Sequence, residues 1–323
     1  MLYLNASNIN ELGVDWHDLT TIISKAVTAL HNNDYAQPIK PYLRYGHPRN
    51  RIIAMPAYVG GSTPLAGIKW IASFPENIYH NKPRAHSVTI LNEHDSGIPL
   101  CVINTAAISA IRTAAVSGAI VQEYLSIKDD NQRFTVAIMG FGPIGQTHLK
   151  MITALLGERI ERIFLYDIHP VDLSQIDPVW RDKVQIAGSW QEAYLVANIF
   201  ITCTVSSSPY VDLPPVKGSL QLNVSLRDYQ ASMRSFMDII IVDDWDEVCR
   251  ENTDIENMHK TTGLEKGDTL SIADIIYTKA LQQATPDAVI MFNPMGMAIF
   301  DIAVGGYYYN EAMRRNAGTV LPD

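Results

Sequence analysis

"FTVAIMGFGPIGQTHLKMITALL", residues 134–156, decides the fold. It opens on a short apolar run, FTVAIM, and then passes three glycines, Gly140, Gly142 and Gly145, spaced G-x-G-x-x-G. It continues as a segment of helical character with a proline, Pro143, in its first turn. A glycine triplet by itself is weak, because chains that bind nothing also carry it. Here a strand precedes it, a helix follows it, and Asp167 closes the next apolar run, RIFLYD, 22 residues after Gly145. In that setting Gly140 permits the tight turn. Gly142 lets the backbone approach a pyrophosphate, and Gly145 lets helix and strand pack closely. The helix start offers unpaired N–H groups and partial positive charge to the phosphates. A carboxylate at Asp167 accepts hydrogen bonds from both ribose hydroxyls and repels a 2′-phosphate, so the expected cofactor is NAD. Its expected ligands here are Gly140, Gly142, Pro143, Ile144, Gly145 and Asp167.

Downstream, strand-like runs alternate with helical ones. "NIFITCTV" (198–205), "SLQLNVS" (219–225), "DIIIVDDW" (238–245) and "AVIMFN" (288–293) read as buried strands. "SWQEAYLVA" (189–197) and "SIADIIYTKALQQ" (271–283) read as helices. Continuous apolar strands separated by helices predict an α/β, doubly wound parallel sheet of the Rossmann type. Upstream the texture differs. "WHDLTTIISKAVTALHNN" (16–33) has helical spacing, whereas "NRIIAMPAYVGG" (50–61), "LAGIKWIASFP" (65–75) and "HSVTILNEHDSGIPLCVI" (86–103) read as strands, the last a hairpin turning at NEHDSG. The Ala-rich stretch 104–125 reads as a bridging helix, and 296–316 as a helix weakened by Gly305 and Gly306. The expected organisation is an α+β substrate-binding and dimerisation domain, 1–115 completed by 296–323, and a dinucleotide-binding domain, 116–295.

The 323 residues are 47% hydrophobic and 18% charged, with a net charge of −9. This suits a globular protein with a large core and argues against a nucleic-acid surface, which needs clustered Lys and Arg. The three cysteines, Cys101, Cys203 and Cys249, are scattered, with neither a C-x-x-C pair nor a disulfide framework. No metal site is expected. There is no basic region followed by an apolar leader, no apolar run of membrane-spanning length and no basic amphipathic helix. The expectation is a cytoplasmic protein without a membrane partner.

Four cations sit in apolar or turn-rich surroundings: Lys40 and Arg44 in QPIKPYLRYG, Lys69 in AGIKWIAS, and Arg112 in AISAIRTAAVSG. Each alone reads equally well as a solvated surface charge. Together they can form a cationic cleft for a substrate bearing carboxylates, since Arg grips a carboxylate with two parallel bonds. Proton transfer calls for a carboxylate base. Asp228 in LNVSLRDYQ lies just beyond a predicted strand of the parallel sheet, where ligands of such sheets sit. The acidic cluster VDDWDEV (242–248) fits a solvated helix start as well as a site.

Taken in order, GIKWIAS, ISAIRTAAVSG, MGFGPIGQTHL, LNVSLRD and FNPMGMAIFD resemble the ornithine cyclodeaminase/μ-crystallin family over nearly the whole chain. The resemblance implies that Arg44 binds the substrate carboxylate, that Lys69 contacts the reacting centre, and that Arg112 reaches substrate or cofactor. It makes Asp228 the acid/base. It implies that Thr204, Val205, Ser206, Leu222, Asn223, Val224 and Ser225 line the cofactor, with Pro294 and Met295 near its nicotinamide end. The cyclodeaminase pattern has a lysine four residues after the aspartate; here that position is Ser232, which speaks against ornithine. Arg84 is an additional cation suited to a second carboxylate, with Lys40 beside the set. Within the family, MLYLNASNI, QPIKPYLR, RIIAMPAYVGG, PRAHSVTILN, ITCTVSSSPY and VDDWDEVCREN incline the resemblance toward NAD-dependent oxidative cleavage of an N-substituted glutamate, N-(2-amino-2-carboxyethyl)-L-glutamate, to 2-oxoglutarate and L-2,3-diaminopropionate. That chemistry belongs to the making of siderophore and antibiotic precursors. The alternatives are ornithine cyclisation, ketimine or 2-oxo-acid reduction, and nucleotide-dependent binding without catalysis. The family also implies a homodimer joined through the first domains.

Overall fold

The computed structural model describes residues 1–322. The chain divides into two units, one made of Met1–Ala115 together with the segment from Gly296 onward, the other of Val116–Met295.

The first unit begins with β1 (Leu2–Asn5), α1 (Ala6–Leu12) and α2 (Trp16–His31). Asp15 caps α2 by accepting the His17 and Asp18 N–H groups, and Leu19, Ile23 and Val27 form its fully buried stripe. Each such side chain contributes about 1.5–3 kcal/mol relative to exposure. Short strands β2 (Tyr35–Ala36) and β3 (Tyr42–Leu43) lead to the long antiparallel pair β4 (Arg51–Val59) and β5 (Leu65–Ser73). The hairpin of β6 (Ala85–Asn92) and β7 (Pro99–Asn104) follows, its turn closed by a hydrogen bond from the Glu93 N–H to Ile98. Helix α3 (Ala107–Leu125) carries the chain past the division at residue 115.

The second unit holds an eight-stranded sheet whose paired strands all run parallel. Its strands are β8 (Phe134–Met139), β9 (Ile160–Tyr166), β10 (Val184–Ile186), β11 (Ile199–Thr202), β12 (Leu220–Asn223), β13 (Ile239–Val242), β14 (Thr269–Ser271) and β15 (Ile290–Asn293). They stand in the order β10-β9-β8-β11-β12-β15-β13-β14. The order reverses beside β8, so the loops after β8 and β11 flank the point where such sheets take ligands. The helices are α4 (Pro143–Leu156), α5 (Trp190–Tyr194), α6 (Trp245–Val248), α7 (Asp254–Thr262) and α8 (Ile272–Ile276). The doubly wound parallel sheet is as expected. The expected single helix over 271–283 is broken. Helix α8 stops at Ile276, and Lys279 takes a left-handed conformation (φ 57°) before a short 3₁₀ turn.

The chain then returns to the first unit as α9 (Ala298–Arg315) and β16 (Thr319–Val320). The first sheet runs β16-β1-β7-β6-β5-β4-β2, with β3 on β4. The two glycines that weaken α9 as a helix allow its close approach to the sheet. A Cβ on Gly305 would lie 3.1 Å from Leu91 and one on Gly306 2.9 Å from Leu65. The inner face of this sheet, with Met55, Ala57, Lys69, Leu91 and Ile103, is buried. Its other face presents Ile52, Ala54, Tyr58, Ala66, Ile68, Trp70, Val88, Ile90 and Val102, of which none is fully buried.

Candidate active site

The dinucleotide cradle is built by three glycines with three different constraints. Gly140 has φ 86°, and a Cβ there would stand 2.7 Å from the Cys203 carbonyl oxygen. A Cβ on Gly145 would lie 2.0 Å from the Gly140 carbonyl oxygen, so no other residue fits between strand and helix. Gly142 has open space where its Cβ would be. It is the N-cap of α4 and provides no side-chain cap, leaving the first N–H groups of a fourteen-residue helix for an anion. Asp167, just after β9, accepts the Phe141 N–H at 2.6 Å on Oδ2 and the His169 N–H at 2.9 Å on Oδ1. Each oxygen keeps a lone pair for a ribose hydroxyl. These residues fit a dinucleotide.

Asp228 follows β12 and is fully buried. The Thr204 hydroxyl donates to its Oδ1 at 2.6 Å, and the Ser225 hydroxyl donates to its Oδ2. Burial pushes the carboxyl above its ordinary range; the hydroxyls of Ser225, Thr204 and Thr202 and the Arg227 charge oppose it without cancelling it. A carboxylate so raised is suited to exchanging protons closer to neutrality. The turn that carries it passes through Leu226 at φ 62°, a left-handed conformation costing about 1–2 kcal/mol for a residue with a Cβ. Asn223 holds that turn by accepting the Leu226 N–H at 3.1 Å. Its amide nitrogen is committed to Asp254 at 2.9 Å and Asn293 at 2.8 Å, so the Asn223 side chain is an internal strut. Val224 and Ser225 are half-buried, and Val205 is exposed. Ser206 bonds within its own loop. Pro294 is buried, and the Met295 N–H is held by Asp243 at 2.9 Å.

In the first unit, Lys69 and Arg112 converge on one buried carboxylate, Asp301, in the first turn of α9. Lys69 Nζ lies 2.8 Å from Oδ2 and Arg112 Nε 2.8 Å from Oδ1. Lys40, also buried, donates to the Gly296 carbonyl at 2.7 Å. A Cβ on Gly296 would meet the Arg112 guanidinium at 2.6 Å. Burial lowers the Lys69 pKa to about 7; Asp301 opposes the shift, and the charges of Arg112 and Lys40 add to it. Burial would raise the Asp301 carboxyl, but Arg112 and Lys69 outweigh it and hold it below the usual range. Lys69 thus titrates near neutrality beside the Arg112 guanidinium and the Asp301 carboxylate. Arg44 and Arg84 are exposed and stand outside this buried group, Arg44 with its guanidinium 5.1 Å from the centre of the Tyr42 ring. A cavity of about 480 Å³ in this unit is lined by Trp70, Ala72, His86 and Val88 together with the 104–107 segment and holds none of the buried ions.

Of the residues singled out in the sequence, Lys69, Arg112 and Lys40 lie in one buried group and Asp228 is buried after β12; the buried Asp301, Asp254 and Thr202 were not singled out. Asp301 sits in the quoted run FNPMGMAIFD, where its only local signal is an acid in an apolar stretch. The acidic cluster 242–248 resolves into a helix start. Asp244 caps α6, and Asp243 is buried against the Met295 backbone. Among the described residues no three or more His, Cys, Asp or Glu are grouped so as to hold a metal ion, and no helix is long and apolar enough to cross a membrane.

A parallel sheet cornered by glycines, with a buried acid beyond one strand, and a mixed, mainly antiparallel unit holding a lysine–arginine pair on a carboxylate define a two-unit α/β protein with a dinucleotide-binding fold. The chain belongs to the ornithine cyclodeaminase/mu-crystallin family, whose pattern matches residues 5–316. It is 34% identical to the N-((2S)-2-amino-2-carboxyethyl)-L-glutamate dehydrogenase of Staphylococcus aureus, over 99% of this chain and 98% of that protein. Its fold is that of the Thermococcus litoralis Δ1-pyrroline-2-carboxylate reductase in complex with NADH and L-proline (TM-score 0.88, 22% identity, 99% and 100% of the two chains). It is equally that of an archaeal alanine dehydrogenase dimer with bound NAD (TM-score 0.84, 21% identity, 100% and 99%).

Proposed function

We propose that the protein is an NAD-dependent dehydrogenase that oxidises N-(2-amino-2-carboxyethyl)-L-glutamate and releases 2-oxoglutarate and L-2,3-diaminopropionate. The observation that carries this reading is Asp228, a fully buried carboxylate held between the Thr204 and Ser225 hydroxyls and raised by its burial. The 34% identity with the Staphylococcus aureus enzyme supports the choice of substrate. Ser232, in place of the cyclodeaminase lysine, supports it over ornithine.

NAD, when bound, supplies the acceptor for the hydride of the glutamate α-carbon. The Gly140–Gly145 loop with the start of α4 holds its pyrophosphate, and Asp167 its ribose. Lys69 and Arg112 orient the substrate carboxylates, with Arg44, Arg84 and Lys40 contributing positive charge. Loss of the hydride leaves an iminium ion; Asp228 takes a proton from the water that adds to the iminium carbon, returns that proton to the amine nitrogen, and takes the carbinolamine hydroxyl proton as the C–N bond breaks and the ketone forms. Asp301 keeps both cations in place. The apolar outer face of the first sheet, from Ile52 across Ile68 and Trp70 to Val102, supports a homodimer formed through this unit.

The test is incubation with NAD and the conjugate. NADH should accumulate at 340 nm in proportion to 2-oxoglutarate and diaminopropionate detected by mass spectrometry, and Asp228→Asn should lose turnover by about a hundredfold or more. Ornithine consumed with no lasting NADH would establish the redox-neutral cyclisation instead. Asp228→Asn turning over like wild type would remove the acid/base assignment.

A further inference from the structure

We propose that Asp254 is a positioning residue for the acid/base: it clamps the backbone on which Asp228 stands and faces Asp228 with a second buried negative charge. The inference rests on the reading of Asp228 given above.

Three donors converge on Asp254 Oδ2: the Asp228 N–H at 3.0 Å, the Tyr229 N–H at 3.1 Å and the Asn223 amide at 2.9 Å. The Asp254 N–H in turn donates to the Leu226 carbonyl at 2.8 Å. The strained turn at Leu226 is thereby pinned from both sides, and the position of the Asp228 side chain is fixed through its own main chain. The other oxygen, Oδ1, is buried and has no hydrogen-bond partner among the described residues. A neutral asparagine would serve the same three donors without burying a charge. The carboxylate is kept although burial pushes it up to about 6, with the nearby Asp228 adding to the rise.

The titratable groups around Asp228 are Asp254, Arg227, Cys203, Tyr210 and Tyr229. Burial keeps the thiol and both phenols neutral; Arg227 lowers the Asp228 carboxyl, and the coupling between the two acids raises Asp254. That coupling is mutual, so an ionised Asp254 in turn disfavours ionisation of Asp228.

The experiment compares Asp254→Asn, Asp254→Ala and Asp228→Asn, using NAD and N-(2-amino-2-carboxyethyl)-L-glutamate over pH 5–9. NADH binding by fluorescence and amide exchange over residues 223–229 are measured in parallel. In Asp254→Ala, kcat should fall about ten- to a hundredfold with KM little changed, because the acid/base is displaced rather than removed. Exchange over 223–229 should rise while NADH binding stays as in wild type. Asp254→Asn still accepts the three N–H groups, so it should recover much of kcat. Loss of its charge should move the acidic limb of kcat/KM to lower pH. An unmoved limb in Asp254→Asn overturns the proposal whatever kcat does, and this variant decides the matter if the alanine variant does not fold. If Asp228→Asn is inactive while both Asp254 variants match wild type, only the Asp254 role falls. If Asp228→Asn is itself active, the acid/base reading falls and takes this proposal with it.

Discussion

Replacing Asp301 by asparagine tests the ionic group of the first unit. The carboxylate has two cations at 2.8 Å, one on each oxygen, and all three side chains are buried. At an effective dielectric of about 20, each contact is worth roughly 6 kcal/mol of attraction, most of which offsets desolvation. Removing one member of such a group costs about 3–5 kcal/mol, because a charge is left buried without its counter-charge. The two cations respond differently. Lys69, already at about 7, gives up its proton; Arg112 cannot. Since Asp301 raises the Lys69 pKa, its loss lowers it further. The folded-state pKa of Lys69 is depressed below 10.5, so its contribution to stability is present above that value and is lost as pH falls toward about 7. In Asp301→Asn this window extends to lower pH. Urea unfolding at pH 7.5 should show a loss of about 3–5 kcal/mol, and the Lys69 limb of the pH–rate profile should move down. Unfolding within about 0.5 kcal/mol of wild type, with an unmoved limb, would refute the account of Asp301 as the shared counter-charge.

Asp167→Ser removes the carboxylate that excludes a 2′-phosphate, and the ratio of kcat/KM for NADP over NAD should rise by about tenfold or more; an unchanged ratio would mean that Asp167 does not face the ribose. Trp70→Glu places a charge in the middle of the apolar sheet face, where Trp70 is 44% exposed. Sedimentation should then show a monomer with wild-type circular dichroism, and an undisturbed dimer would put the interface elsewhere.

The second unit was legible because its central strands β11, β12 and β15 are buried on both faces and read as unbroken apolar runs, punctuated by glycines whose reasons are local. Gly145 is required by Gly140 five residues away, and Asp167 by Phe141 and His169. Asp301 and Asp254 were not legible, because their partners are distant. Arg112 lies 189 residues before Asp301, and Asn223 lies 31 residues before Asp254. A carboxylate in an apolar run does not announce which cation it meets. The break at Lys279 was missed for a similar reason: nothing in SIADIIYTKALQQ forbids a continuous helix, and tertiary context ends it.

The return of the chain to the first unit has a consequence for biosynthesis. Lys69 and Arg112 emerge from the ribosome early, and Asp301 emerges 189 residues after Arg112. At about 5–20 residues per second, that interval is on the order of ten to forty seconds. Throughout it the first sheet lacks α9 on its inner face, and its two central cations lack their counter-charge. The parallel-sheet unit is complete in sequence before that happens, so it can fold first. The nascent first unit is then the species that depends on chaperones, and a ribosome stalled before residue 301 leaves a finished nucleotide fold attached to an open, apolar sheet.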